Sequence, residues 1–442
     1  MYPNLYYVFK DLFGVEWNAL KILNTFGLMV AISFVAAAWV LVSELKRKEK
    51  QGLLLPREET ILVGKPASAL ELIINGFIGF LFGFKLVGLI FNRPADVNPQ
   101  DYIFSSQGNL IGGLLIAALL VYMKWADKNK EKLKVPERRH VRIWPHDRVG
   151  DIVILALIFG ILGAKLFDNL EHWSEFIQDP IGHIFSASGL TFYGGLILAA
   201  IAISWYAYRK GIKLYHLMDA AAPALMIAYA IGRIGCQVSG DGDWGIFNSA
   251  YVSDAYGHVT AADPAGFQAD ISRNADYFTT GKATDSAGHA FYVTDRAYGS
   301  LDHVPHAAFK GPSFLPSWLF AYAYPQNVNK DGITIPGNNE DHNRVLPHPV
   351  FPTPLYETII CTLLFFFLWG IRKSVKIPLV IFGIYLLING IERFLIEAIR
   401  VNKAYGVEGV VLSQSQIVAI ILMIIGLALT ILAPRIFKQR VT

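Results

Sequence analysis

The stretch DIVILALIFGILGAKLFDNL, residues 151–170, decides the reading of this chain. It is apolar over most of the roughly 20 residues that cross about 30 Å of hydrocarbon, and between Asp151 and Asp168 near its ends it carries one charge, Lys165. An earlier stretch echoes it, ELIINGFIGFLFGFKLVGL at 71–89, with Lys85 in the matching place. Each is followed by a second apolar run built on paired glycines, QGNLIGGLLIAALLVY at 107–122 and SGLTFYGGLILAAIAISW at 188–205. The lysines stand 80 residues apart, and the pairs Gly112-Gly113 and Gly194-Gly195 stand 82 apart. A two-span hairpin copied within one chain explains this spacing, as an internal repeat of a packing unit. Convergence of two glycine-rich hairpins is the alternative.

Working outward, nine segments qualify as spans: 22–43, 69–91, 104–124, 149–169, 190–208, 217–238, 357–371, 377–397 and 415–433. Composition agrees, because 53% of the 442 residues are hydrophobic and 17% are charged, against about a quarter charged in soluble domains. The 29 Phe, 20 Tyr and 9 Trp suit side chains placed at headgroup level. The expected fold is an all-α polytopic membrane protein of about nine transmembrane helices, with an outside head loop of mixed or irregular structure. No cleavable leader precedes the first span. Cys236 and Cys361 both lie in apolar segments, so no disulfide framework is implied.

Lysine and arginine set the orientation. The connections ELKRKEKQGLLLPREE, DKNKEKLKVPERRHVRIWPHDR, YRKGIK and IRKSVK and the tail RIFKQR are basic and alternate with connections poor in these residues. The N-terminus is therefore expected outside and the C-terminus inside. The loop from 240 to 356 lies outside and reads as short strands and turns. Within it, GPSFLPSWLFAYAYPQN at 311–327 is expected to pack at the interface. The opening YPNLYYVFKDLFG suits an amphipathic arm or, alternatively, a disordered tail.

Ionisable groups inside spans are costly and normally pair or line a wet cavity. Given the orientation, Lys165, Tyr193, Arg233, Glu357, Arg393 and Glu397 share one level near the outer side. A purely structural reading pairs Arg233 with Glu357 and Arg393 with Glu397, four residues on. That leaves Lys165 over, so an anionic ligand such as a phosphate diester completes the charge balance. In GRIGCQVSGDGDWG, residues 232–245, glycines flank Arg233 and the chain leaves the helix through Gly240. Gly194 and Gly195 suit tight packing or an open groove, and Asp219 suits a helix cap. His303 with His306 and His342 with His348 lack metal-site spacing, and there is no nucleotide loop or G-x-S-x-G motif. No metal, cofactor or nucleic acid is expected.

These blocks resemble the prolipoprotein diacylglyceryl transferases, bacterial inner-membrane enzymes that move diacylglyceryl from phosphatidylglycerol to a lipobox cysteine. GRIGCQVSGDGDWG resembles the family signature, and SGLTFYGGL, HLMDAAAP, HPVFPTPLYE and ERFLIEAIR follow the family pattern. The resemblance spans most of 15–45 and 147–433. It implies Arg233, Tyr193, Arg393 and Glu397 as catalytic residues and Lys165, Gly194, Gly195, Cys236, Gly240 and Glu357 as substrate-binding residues. It implies a multi-pass monomer with a periplasmic arm at 1–21 and a first helix at 22–43. An added hairpin at 55–145 follows, then core helices at 147–239, a periplasmic head at 240–356, core helices at 357–433 and a cytoplasmic tail at 434–442. Its partners are phosphatidylglycerol and a prolipoprotein signal peptide. Departures are Tyr193 for the family histidine, Cys236 for the first signature asparagine, Phe26 for an early tyrosine, and Asp241-Gly242-Asp243 for Glu-Leu. A noncatalytic lipid-binding or lipoprotein-handling protein, or a transferase with another acceptor, is the alternative.

Overall fold

The computed structural model describes the chain except residues 95–96, 98–101, 104, 186–190, 285–289, 293–296, 401–403, 408–409 and 439–442. It is a polytopic all-α membrane protein. Among the described residues, nine helices of 18 or more residues match the nine expected segments: α1 (Thr25–Lys50), α2 (Ala69–Phe91), α3 (Leu110–Lys130), α4 (Val149–Glu171), α5 (Phe192–Lys210), α6 (Leu214–Ser239), α7 (Thr353–Ile371), α8 (Val380–Glu397) and α9 (Gln414–Lys438). Among the described residues, seven helices are long and apolar enough to cross a membrane. The two outside that set are α5 and α8. Helix α8 carries Glu392, Arg393 and Glu397 within its 18 residues. The chain divides into two compact units, Val42–Leu214 and the combination of Met1–Leu41 with Tyr215–Thr442.

The Val42–Leu214 unit consists of two helical hairpins, α2 with α3 and α4 with α5. Small residues let the backbones of each pair meet, as lipid-embedded helices require when burial from water supplies no drive. A Cβ built on Gly83 would lie 2.4 Å from the Gly112 carbonyl oxygen, and one on Gly163 would lie 2.4 Å from that of Gly194. The two approaches use residues 80 and 82 positions apart. Helix α2 starts at a reciprocal cap between Ser68 and Glu71. The basic connections form an unanticipated antiparallel pair, β1 (Arg57–Val63) with β2 (Glu137–Ile143), in register from Arg57 opposite Ile143 to Val63 opposite Glu137. Glu59 on β1 ties this pair to the helices through Arg148 at 2.7 Å and Lys210 at 3.2 Å.

In the other unit α6 is the most enclosed helix, with Ala220, Ala222 and Met226 fully buried. Asp219 of α6 caps α8, accepting hydrogen bonds from the Leu379 and Phe382 amides at 3.0 Å each. Helices α8 and α9 cross at Gly383 and Gly426, where a Cβ on Gly426 would meet the Gly383 carbonyl oxygen at 2.6 Å.

The head folds around its own core of Trp244, Phe247, Phe267, Phe278, Tyr324 and Leu346. The stretch 311–327 divides: Phe314 and Trp318 are exposed, whereas Ala321, Ala323 and Tyr324 are fully buried. Its second half therefore belongs to the head core and not to an interfacial surface. The N-terminal arm is an ordered helix, Leu5–Phe13, capped by Asn4 and ended at Gly14 with φ +67°. It is held to the head by Lys10 on Glu340 at 2.5 Å and Lys21 on Asp341 at 3.0 Å.

Candidate functional site

The site grows from the end of α6. Arg233 lies two turns before that end, and Gly240, at φ +66°, turns the chain out of the helix. A Cβ on Gly240 would lie 2.9 Å from the Asn327 side chain, so glycine is required for the turn and for the approach. The turn brings Asp243 back onto Arg233, with which it forms an ion pair. Thr353, the first residue of α7, fixes this return by donating from its hydroxyl to the Asp243 carbonyl oxygen at 2.7 Å. Pro354 follows in the first turn, where a missing amide proton costs nothing, and Glu357 enters one turn deeper.

Glu357 is the hub. Its side chain is wholly buried; Oε2 meets Arg233 Nε at 3.0 Å, and Oε1 meets Arg393 Nη1 at 3.0 Å and the Tyr229 hydroxyl at 2.7 Å. On α8, Glu397 faces Arg393 at 3.4 Å, as residues four apart on one helix face do. Ser413 donates to Glu397 at 2.7 Å and caps α9 reciprocally with Gln416. One turn past Glu397, Arg400 places Nη2 at 2.5 Å from Asp243 Oδ1. Asp243 thus bridges Arg233 and Arg400. Burial pushes its carboxyl upward, yet these two guanidiniums outweigh burial and hold it at about 2.

Both structural pairs expected from sequence are present, Arg233 with Glu357 and Arg393 with Glu397. Asp243 and Arg400 join the set, so within this unit Arg233, Arg393 and Arg400 face Glu357, Glu397 and Asp243, while Lys165, which made the expected surplus, belongs to the other unit. Of these carboxylates Asp243 is the exchangeable one, at 36% side-chain exposure against 0% for Glu357 and 1% for Glu397. Arg400 Nη1 is buried without a hydrogen-bond partner among the described residues, as are both carboxylate oxygens of Glu392. Buried polar atoms of this kind point to a polar ligand.

Cys236, one turn after Arg233, places its sulfur 3.4 Å from Arg233 Nη1. The Cys236 sulfur and carboxylate oxygens of Asp241 and Asp243 lie within 4.8 Å of one another. They are near enough to gather a cation, but both Asp243 oxygens already accept from guanidiniums. Phe26 of α1 packs against Gly235 of α6, 3.2 Å from where a Cβ would stand. Lys165 on α4 and Tyr193, Gly194 and Gly195 on α5 belong to the Val42–Leu214 unit. There the glycines serve packing: a Cβ on Gly194 would meet the Phe167 Cβ at 2.4 Å, and one on Gly195 the Gly160 carbonyl oxygen at 2.6 Å.

Sequence reasoning passed over Asp241, Asp243, Arg400 and Tyr229. The signal for Arg400 was its spacing, three residues past Glu397 and seven past Arg393. The glycines around Asp241 and Asp243 hinted at a reversal that returns both acids to the helix.

The family whose model matches residues 112–432 is described as prolipoprotein diacylglyceryl transferase. The chain belongs to the prolipoprotein diacylglyceryl transferase family. Similar proteins include the phosphatidylglycerol–prolipoprotein diacylglyceryl transferase of Leptospira interrogans, 25% identical over 57% of this chain and 62% of that protein. Those of the same name from Streptococcus uberis and Dehalococcoides mccartyi are 27% and 34% identical, over 65% and 28% of this chain and 80% and 46% of theirs. The chain thus spans less than two thirds of the length of the Leptospira and Dehalococcoides relatives. The family match begins on α3, inside the segment 55–145 that was expected to be an addition. It takes in Arg233, Asp243, Glu357, Arg393 and Arg400, so the whole guanidinium cluster lies within the transferase region.

Proposed function

We propose that this chain transfers the diacylglyceryl group of phosphatidylglycerol to the lipobox cysteine of a prolipoprotein, forming a thioether. The observation that carries the reading is the Asp243 carboxylate, bridged between Arg233 and Arg400, whose Nη1 has no hydrogen-bond partner among the described residues. A partly exposed carboxylate between two guanidiniums marks a seat that a phosphodiester fits better, because it offers more acceptor oxygens to the arginine forks.

In this reading Arg233 and Arg400 take the headgroup phosphate and stabilise the charge that grows on it as the glycerol carbon–oxygen bond breaks. Arg393, held by Glu357 and Glu397, keeps Arg233 in place through their shared partner. Cys236 and Gly240 shape the seat beside Arg233. Lys165, Tyr193, Gly194 and Gly195 are assigned to lipid binding and catalysis from the family pattern alone. The membrane is the bacterial inner membrane, with the N-terminus and head on the periplasmic side, the C-terminus in the cytoplasm, and the protein a monomer. The two hairpins are copies of one packing unit, and the family match takes in α3 of the first.

A noncatalytic lipid-handling role is the second reading, favoured by Tyr193 in place of histidine and by the carboxylate in the phosphate seat. Complementation of a strain depleted of its transferase separates them. Restored lipid modification of prolipoprotein supports transfer, and continued accumulation of the unmodified precursor in a strain expressing the protein supports the second reading.

A further inference from the structure

The transfer needs a group that takes the thiol proton, and a tyrosine stands where the family pattern has histidine. We propose that Asp241 is that proton acceptor, a catalytic residue placed by the same turn that seats the headgroup. The assignment rests on the transferase reading above.

The geometry divides two neighbouring carboxylates between two tasks. Asp243 is committed to Arg233 and Arg400. Among the described residues no ion pair of Asp241 is found; its carboxylate accepts from the Asp243 amide at 3.3 Å and lies within 4.8 Å of the Cys236 sulfur. The turn is rigid, since Asn329 donates to the Asp241 carbonyl oxygen at 2.8 Å and Gly240 closes on Asn327. The charged and titratable groups acting on Asp241 are Asp243 on its own turn and Cys236 and Arg233 on α6, and Tyr324 of the head feels its charge. Burial first, then the charge of Asp243, move Asp241 upward from its ordinary value, the direction that favours taking up a proton.

Distance supports the assignment. If Asp243 marks the phosphate seat, in-line attack puts the incoming sulfur beyond the glycerol carbon, itself about 3–3.5 Å from the sulfur. A carboxylate oxygen of Asp241 lies within 4.8 Å of both Asp243 and the Cys236 sulfur, so it is within reach of a second thiol brought there. In the step, the acceptor S–H proton passes to Asp241 and the sulfur electron pair forms the carbon–sulfur bond. The carbon–oxygen bond breaks with its pair on the phosphate oxygen. Glycerol phosphate leaves, and the proton on Asp241 returns to it or to water.

The test uses the full chain in phosphatidylglycerol vesicles with a lipobox peptide bearing a free cysteine, measuring kcat against pH and lipid binding. Asp241→Asn should lower kcat about 100-fold or more while lipid binding stays within about 2-fold, and Asp241→Glu should recover part of the rate. The unaltered protein should lose activity as pH falls through a pKa above the ordinary aspartate value, and Asp241→Asn should lack that limb. Asp241→Asn with normal kcat and an unchanged profile overturns the assignment and leaves transfer standing. An unaltered protein without that acid limb overturns it too, whether or not the variant folds. An unaltered protein that binds lipid and forms no thioether overturns the transferase reading, and the assignment with it.

Discussion

Arg400 Nη2 lies 2.5 Å from Asp243 Oδ1, joining the segment after α8 to the turn after α6 across 157 residues of sequence. The backbone supports this pair on either side. The Ile246 amide donates to the Ile399 carbonyl oxygen at 2.9 Å, and Gly245 pairs with Arg400 in an isolated bridge. The phosphate seat is therefore assembled from two chain segments that close together.

Because Arg400 supplies half of that seat, Arg400→Gln should reduce transfer about 100-fold or more, the scale of losing one preorganised donor to a developing anion. Arg400→Lys should restore only part, since an ammonium keeps the charge without the fork. Single-turnover rates with saturating lipid read this directly.

Asp243 competes with the headgroup for both guanidiniums. Asp243→Asn should tighten binding of phosphatidylglycerol several-fold, with the gain shrinking as salt rises. Titration with labelled lipid in detergent at two ionic strengths checks it, and weaker binding would show that Asp243 only holds the arginines in place.

Acid should separate Asp243 from its partners. Its folded-state pKa lies below the ordinary value, so its contribution is fully present above about pH 4 and is lost as pH falls through about 2. The thermal midpoint in detergent should drop between pH 4 and pH 2, and Asp243→Asn should show a smaller drop over that window.

Glu357 and Gly194 make structural predictions. Glu357→Ala removes the wholly buried carboxylate that Arg233 and Arg393 share, leaves them Asp243 and Glu397 alone, and should cost up to about 3–5 kcal/mol. Gly194→Ala places a methyl group 2.4 Å from the Phe167 Cβ and should cost about 1–3 kcal/mol by overpacking, whereas Gly160→Ala has open space and should be neutral. Thermal unfolding of the three variants in detergent compares them.

The nine long helices were legible because each is a long apolar run between polar connections, and basic residues mark alternate connections. Arg233, Glu357, Arg393 and Glu397 were legible as charges that a span does not carry without cause. Asp243 and Arg400 were not, since both lie just beyond helix ends, where a charged residue costs little and raises no alarm. The fold of the head was hidden for another reason. Its described strands run two or three residues, too short for alternation to register, and its core draws Phe247, Phe278 and Tyr324 from distant parts of the loop.

The most direct test of transfer is the mass of a lipobox peptide incubated with the purified chain in phosphatidylglycerol vesicles. The account predicts a gain of one diacylglyceryl group in thioether linkage on the cysteine, sharply reduced with Arg400→Gln. A peptide of unchanged mass beside protein that has bound the lipid would contradict it.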